Sequence, residues 1–202
     1  MSKQRPYATL LAKGEDRKQR ILDATQRLVV RHGWRGITLA QIAREAGVSP
    51  AGLLHHFASK EQLLHAALDA RDAYDETHFQ AGGDIVEQMS LLEARFREVP
   101  EQIGTYAVLL MENLDAQAPL HERLRVKQHS NVDQVAGEIR RGQSEGRYRT
   151  DIDPTAKAVE VMAFLHGVEA MWLLDPAISL PDVFLEYTAT LIQRLAVPPA
   201  GS

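Results

Sequence analysis

The chain has 202 residues, with 45% apolar side chains, 23 Lys+Arg and 27 Asp+Glu, enough apolar content to bury a core and too much for a chain disordered throughout. It has no cysteine, which excludes disulfides, thiolate catalysis and iron–sulfur ligation. It also has no apolar run of about 18 residues and no apolar leader, so neither a membrane span nor secretion is expected and the cytoplasm is the expected compartment.

The net charge of −4 is unevenly divided: residues 1–60 carry 11 Lys+Arg against 4 Asp+Glu, and residues 61–202 carry 12 against 23. A basic head of +7 attracts a polyanion, while an acidic body of −11 is a poor nucleic-acid surface.

In chain order, residues 1–14 contain Pro6, end at Gly14 and read as a flexible arm. Asp16 and Gln19 form a possible capping box for a first helix that carries Ile21, Leu22, Leu28 and Val29 to about His32, with Gly33 ending it. Thr38 and Gln41 form a second box, behind the apolar staple Ile37, and open a short helix to Ala46. Gly47 breaks that helix, Ser49 caps the next and Pro50 takes its first position, where a missing N–H costs nothing. This third helix ends near Phe57, anchored by Leu53 and Phe57. Ser59-Lys60-Glu61-Gln62 starts a fourth, expected to reach Phe79 and so to cross the charge boundary. Further helices are expected near 84–98, 101–116, 119–143, 154–174 and 180–196, broken at Gly82-Gly83, Pro100, Pro119, Gly146 and Pro176/Pro181. Residues 197–202 read as a tail. The fold expected is all-α: a three-helix domain over 15–60 with a helix-turn-helix, then a larger helical bundle over 61–196.

Helix, three-residue turn and helix within a cationic module is the spacing of a helix that enters the major groove while its predecessor crosses the phosphates. The stretch G-W-R-G-I-T-L-A-Q-I-A-R-E-A-G-V-S-P-A-G-L-L-H-H-F-A-S-K-E-Q-L-L at 33–64 resembles the TetR family of bacterial transcriptional regulators. That resemblance implies an N-terminal DNA-binding domain, a turn and recognition helix at Gly47–Phe57, and a dimerising body that takes a small-molecule effector. Leu54 stands where the family commonly has Tyr, which removes a phenolic contact.

Candidate DNA-contacting residues are Thr38, Gln41 and Arg44 toward phosphate, and Ser49, Pro50, Ala51 and Gly52 at a low-profile recognition tip. His55 is a candidate for phosphate or base, His56 for contact or local hydrogen bonding, and Lys60 for phosphate. Thr38 and Gln41 also cap one another, which is compatible with contact. One module covers little DNA, so a homodimer on double-stranded, approximately palindromic operator DNA is expected. Its interface is placed on the last two helices, with Val159, Met162, Ala163, His166, Ala170, Leu173 and Leu174 on one and Phe184, Leu185, Thr188, Leu191, Ile192 and Leu195 on the other; the same stripes suit packing within one subunit.

Candidate effector-lining residues are Met89, Phe96, Tyr106, Leu110, His129, Met162, His166 and Trp172. Most are apolar, and Tyr106, His129 and His166 supply polar handles; core packing is the competing role for each. The function implied by the resemblance is a repressor whose operator affinity falls when a mostly apolar effector binds. The alternative is a noncatalytic helical protein-interaction module. An enzyme is not expected: there is no nucleophile elbow or phosphate loop, and His121 and His129 with Glu122 and Asp133 do not complete a metal ligand set. No cofactor or metal is expected.

Overall fold

The computed structural model describes the backbone of residues 4–78 and 83–197 and the side chains of 14–77 and 83–197. Among these the chain forms α1 (Gln4–His32), α2 (Leu39–Ala46), α3 (Pro50–His56), α4 (Lys60–His78), α5 (Ile85–Glu98), α6 (Pro100–Glu112), α7 (His121–Ser144), α8 (Pro154–Leu174) and α9 (Leu180–Leu195). The fold is all-α, and no described helix is long and apolar enough to cross a membrane. Phe79, Gly82 and residues 198–202, where a helix end, a break and the tail were expected, lie outside the described residues.

Two compact units are present: residues 1–73 with 101–119, and residues 74–100 with 120–202. The first therefore takes in α6 as well as α1–α3 and most of α4, whereas the charge pattern alone places a boundary at residue 60. Its core is built from Ile21, Val29, Ile37, Ile42, Leu53 and Leu63, each at most 2% exposed. Helix α6 joins it through Ile103 and Leu109 and through the Thr105 hydroxyl, which donates to the Gln26 carbonyl of α1 at 3.3 Å.

The helix start expected at Asp16 is corrected: α1 begins at Gln4, so the arm expected over 1–14 is helical from that residue. Asp16 lies inside the helix and pairs with Arg20 one turn on at 3.2 Å, while the Gln19 amide donates to Asp23. A D-x-x-Q pattern serves equally as a cap or as the start of i,i+4 pairs, and local sequence does not separate the two.

The second unit packs α5, α7, α8 and α9 around Ile85, Met89, Ile139, Tyr148, Val161, Leu191 and Leu195. Gly142 of α7 is required there, because a Cβ would collide with the Tyr148 ring. Tyr148 also donates to Asp84, the α5 N-cap, at 2.7 Å. The R-Y-R-T-D-I-D-P segment is fixed by the Gln143 amide, which donates to the carbonyls of Arg149 and Ile152, before Asp153 caps α8 with Pro154 in its first turn.

Candidate nucleic-acid interface

Helices α2 and α3 are short, and each is held by its caps. Thr38 is the α2 N-cap: its hydroxyl oxygen accepts from the Gln41 N–H at 3.2 Å, and its own N–H donates to the Gln41 side chain at 2.7 Å. At the other end Gly47 takes φ 66° and ψ 36°, a left-handed conformation that glycine adopts without a Cβ penalty. The next N–H, of Val48, then turns back to the Ala43 carbonyl at 2.9 Å. Ser49 caps α3 by accepting from Gly52 N–H at 3.0 Å, with Pro50 in the first turn. Leu53 is fully buried and fixes the rotation of α3, so Ser49, Pro50, Ala51, Leu54 and His55 are exposed, with Gly52 and His56 half-buried. Thr38 and Arg44 are exposed as well, and Gln41 is half-buried.

Residues of α1 that the sequence reading left out complete this surface. Arg17 and Arg20 line an open concavity of about 410 Å³ together with Gly47, Val48, Ser49, Gly52, His55 and His56. Arg20 also reaches the Ala46 carbonyl at the end of α2 at 3.4 Å, and the two histidine rings meet edge to face at 5.5 Å. The R-K-Q-R run at 17–20 was the available signal. Three residues apart, both arginines fall on one face of α1.

Lys60 is held differently from a surface phosphate ligand. Its ammonium donates to the Trp34 carbonyl at 2.8 Å and lies 4.5 Å from the indole centroid. Burial lowers its pKa, against the opposing charges of Glu112 and Glu61. The same turn is gripped from α6, where the Glu112 carboxylate accepts the Trp34 N–H at 3.1 Å and its carbonyl accepts from Arg35 at 3.2 Å. The turn that leads into α2 is thus clamped by α4 and α6 together.

The residues singled out for an effector fall in both units. In the second, Phe96 meets Trp172 edge to face at 5.5 Å and Phe184 at 5.6 Å, and Met162 is buried. His166 is half-buried, with Gln128 at 2.6 Å from one ring nitrogen and Glu169 at 3.2 Å from the other. Met89 packs in the apolar core with Ile85, Ile139 and Val161. His129 sits on the exposed side of α7 with Nδ1 at 2.7 Å from the Arg125 carbonyl. In the first unit Tyr106 is buried with the Arg71 guanidinium 3.3 Å above its ring, and Leu110 is half-buried. Among the described residues no three His, Cys, Asp or Glu side chains gather as a metal-binding group.

The family model for bacterial regulatory proteins of the tetR family matches residues 21–67, the stretch that builds the capped α2–α3 pair. The chain is 30% identical over 144 residues to the HTH-type transcriptional repressor AcnR of Corynebacterium glutamicum, covering 67% of this chain and 70% of AcnR. It is 25% identical over 205 residues to the HTH-type transcriptional regulator TtgR of Pseudomonas putida, covering 92% and 94%. A crystal structure of a TetR-family transcriptional regulator from Agrobacterium tumefaciens shares the fold with a TM-score of 0.72 at 21% identity, covering 91% of this chain and all of that one. With its recognition helix exposed on a cationic module and these relatives spanning both units, the chain belongs to the TetR family and is a DNA-binding transcriptional regulator.

Proposed function

We propose that the protein is a repressor that occupies an approximately palindromic operator as a homodimer and leaves it when a small, mostly apolar effector binds. The observation that carries this reading is the outer face of α3, where Ser49, Pro50, Ala51, Leu54 and His55 are presented to solvent beside exposed Thr38 and Arg44. Small residues at the tip allow close approach to base edges, and Ala51 and the 49% exposed Leu54 suit thymine methyl groups. Thr38, Gln41, Arg44, Arg17 and Arg20 are assigned to phosphate. Gly52 keeps the tip low, and His56 adds a donor beside His55. Lys60 is assigned chiefly to holding the Trp34 turn.

Dimerisation is supported by the apolar residues that α8 and α9 leave uncovered: Val159, Met171, Leu174, Leu185 and Ile192 are 48–82% exposed. A twofold pairing would bury such a face on both subunits. Met162, Phe184, Leu191 and Leu195, also expected on that interface, are buried within their own subunit, as the alternative role of those stripes anticipated. For the effector, Phe96, Met162 and Trp172 supply apolar and aromatic surface and His166 the polar handle, with core packing assigned to Met89 and Tyr106, and surface roles to Leu110 and His129.

The test is selection of bound duplexes from a random-sequence library, then footprinting and transcription from a promoter carrying the selected site. We expect an approximately twofold-symmetric footprint, two protomers per site, reduced transcription, and relief by a compound recovered from a metabolite library. Binding without sequence selection would overturn the operator reading, and increased transcription would overturn repression.

A further inference from the structure

We propose that operator binding takes up protons at the His55–His56 pair, so that the protein holds its operator more tightly in mildly acidic than in mildly alkaline conditions. The inference rests on the DNA-binding reading and deepens it. Both imidazoles line the same open concavity as Arg17 and Arg20, on the surface that also presents the exposed tip of the recognition helix. Leu54, the residue before the pair, carries no hydrogen-bonding group at all. The donors that this end of α3 offers to a DNA strand are therefore imidazoles.

A neutral imidazole donates from one nitrogen; an imidazolium donates from both and carries a charge that phosphate favours. Histidine is the side chain whose ordinary titration range overlaps neutral pH. Among the residues that line the concavity the charged groups are Arg17 and Arg20 of α1, with Asp16 paired to Arg20 at 3.2 Å, and the α2–α3 turn supplies Gly47, Val48 and Ser49. A phosphate strand seated in the concavity lies against both imidazoles and favours their charged form. The equilibrium then links proton uptake to DNA binding, and by linkage lower pH tightens the complex. The arginines stay charged throughout this range.

The experiment uses the full chain and a duplex selected at pH 7, with a scrambled duplex as reference, in fluorescence anisotropy at pH 6, 7 and 8 and fixed ionic strength. We expect binding of the selected duplex to tighten at least about fivefold between pH 8 and pH 6, and the double variant His55→Gln with His56→Gln to bind more weakly and to lose that dependence. Calorimetry of the unaltered protein in two buffers of different ionisation enthalpy should show net proton uptake at pH 7, a readout that does not require the variant to fold. A flat pH profile, zero proton uptake, or a slope that survives the double substitution would each overturn the proposal. Failure to select any duplex would instead strike the DNA-binding reading on which it stands.

Discussion

Glu138 shows at the scale of one residue how packing changes chemistry. It sits on α7, only 3% exposed, and accepts from the Gln88 amide at 3.1 Å. Burial raises its pKa above the ordinary carboxylate value of 4.5, against hydrogen bonds from Gln88 and Gln134 and the charge of Arg141. The folded state therefore holds this proton more firmly than the unfolded chain. Its contribution to stability is fully present below the unfolded value and is lost as pH rises through the folded one. We expect Glu138→Gln, neutral at every pH, to gain in Tm relative to the natural protein as pH is raised from 4.5 to 8. Thermal unfolding at pH 4.5, 6 and 8 measures this, and a Tm difference independent of pH would contradict it. Nothing in the sequence Q-V-A-G-E-I-R-R around Glu138 announces burial, since a charged residue near Gln and Arg reads as a solvated face. Only the approach of α5, bringing Gln88 from 50 residues away, encloses it.

Among the elements, the turn before α2 is held by two helices distant in sequence, α4 and α6. Trp34 receives Lys60 from α4 on its carbonyl and ring and gives its N–H to Glu112 of α6. These contacts tie the end of α6 directly to the entry of the helix-turn-helix. We expect Glu112→Ala to destabilise the protein by about 1–2 kcal/mol, because a half-buried N–H loses its acceptor. In a Trp172→Phe background, Trp34 emission should also move to longer wavelength as the turn opens to water. Urea unfolding and fluorescence check the two effects, and no change in either would show that Glu112 does not hold the turn. The elements themselves were legible because their ends carry explicit chemistry: Thr38 and Gln41, Gly47, Ser49 and Pro50, and Asp153 with Pro154 all stand where the local grammar puts them. The start of α1 was misplaced because Asp16 and Arg20 satisfy one another inside a helix as readily as Asp16 would cap one.

For the molecule as a whole, the uncovered apolar face of α8 and α9 sets the expected assembly. Leu185 is 72% exposed in the single chain, so a charge there has little to disturb within the subunit but would be buried and unpaired in a dimer. We expect Leu185→Glu to leave thermal stability of the subunit nearly unchanged, to shift sedimentation at micromolar concentration from dimer to monomer, and to weaken operator binding by at least about tenfold through loss of the tethered second module. Persistence of the dimer would place its interface elsewhere. Such a test also bears on the acidic body: its excess of carboxylates keeps it from competing with the basic head for DNA, so assembly rather than added affinity is its contribution to recognition.

Sequence alone dictates the all-α class, most helix boundaries, the helix-turn-helix and the cationic head, because caps, left-handed glycine positions and local charge act within a few residues of one another. It also carried the family resemblance, in one continuous stretch. Packing across the chain is what places Arg17 and Arg20 of α1 in one concavity with His55 and His56, binds Lys60 to Trp34, joins α6 to the first unit and buries Glu138. Each of those depends on groups brought together across 26 to 78 residues of chain, and the force that brings them together is burial of apolar surface elsewhere, which carries no local mark at the residues it juxtaposes.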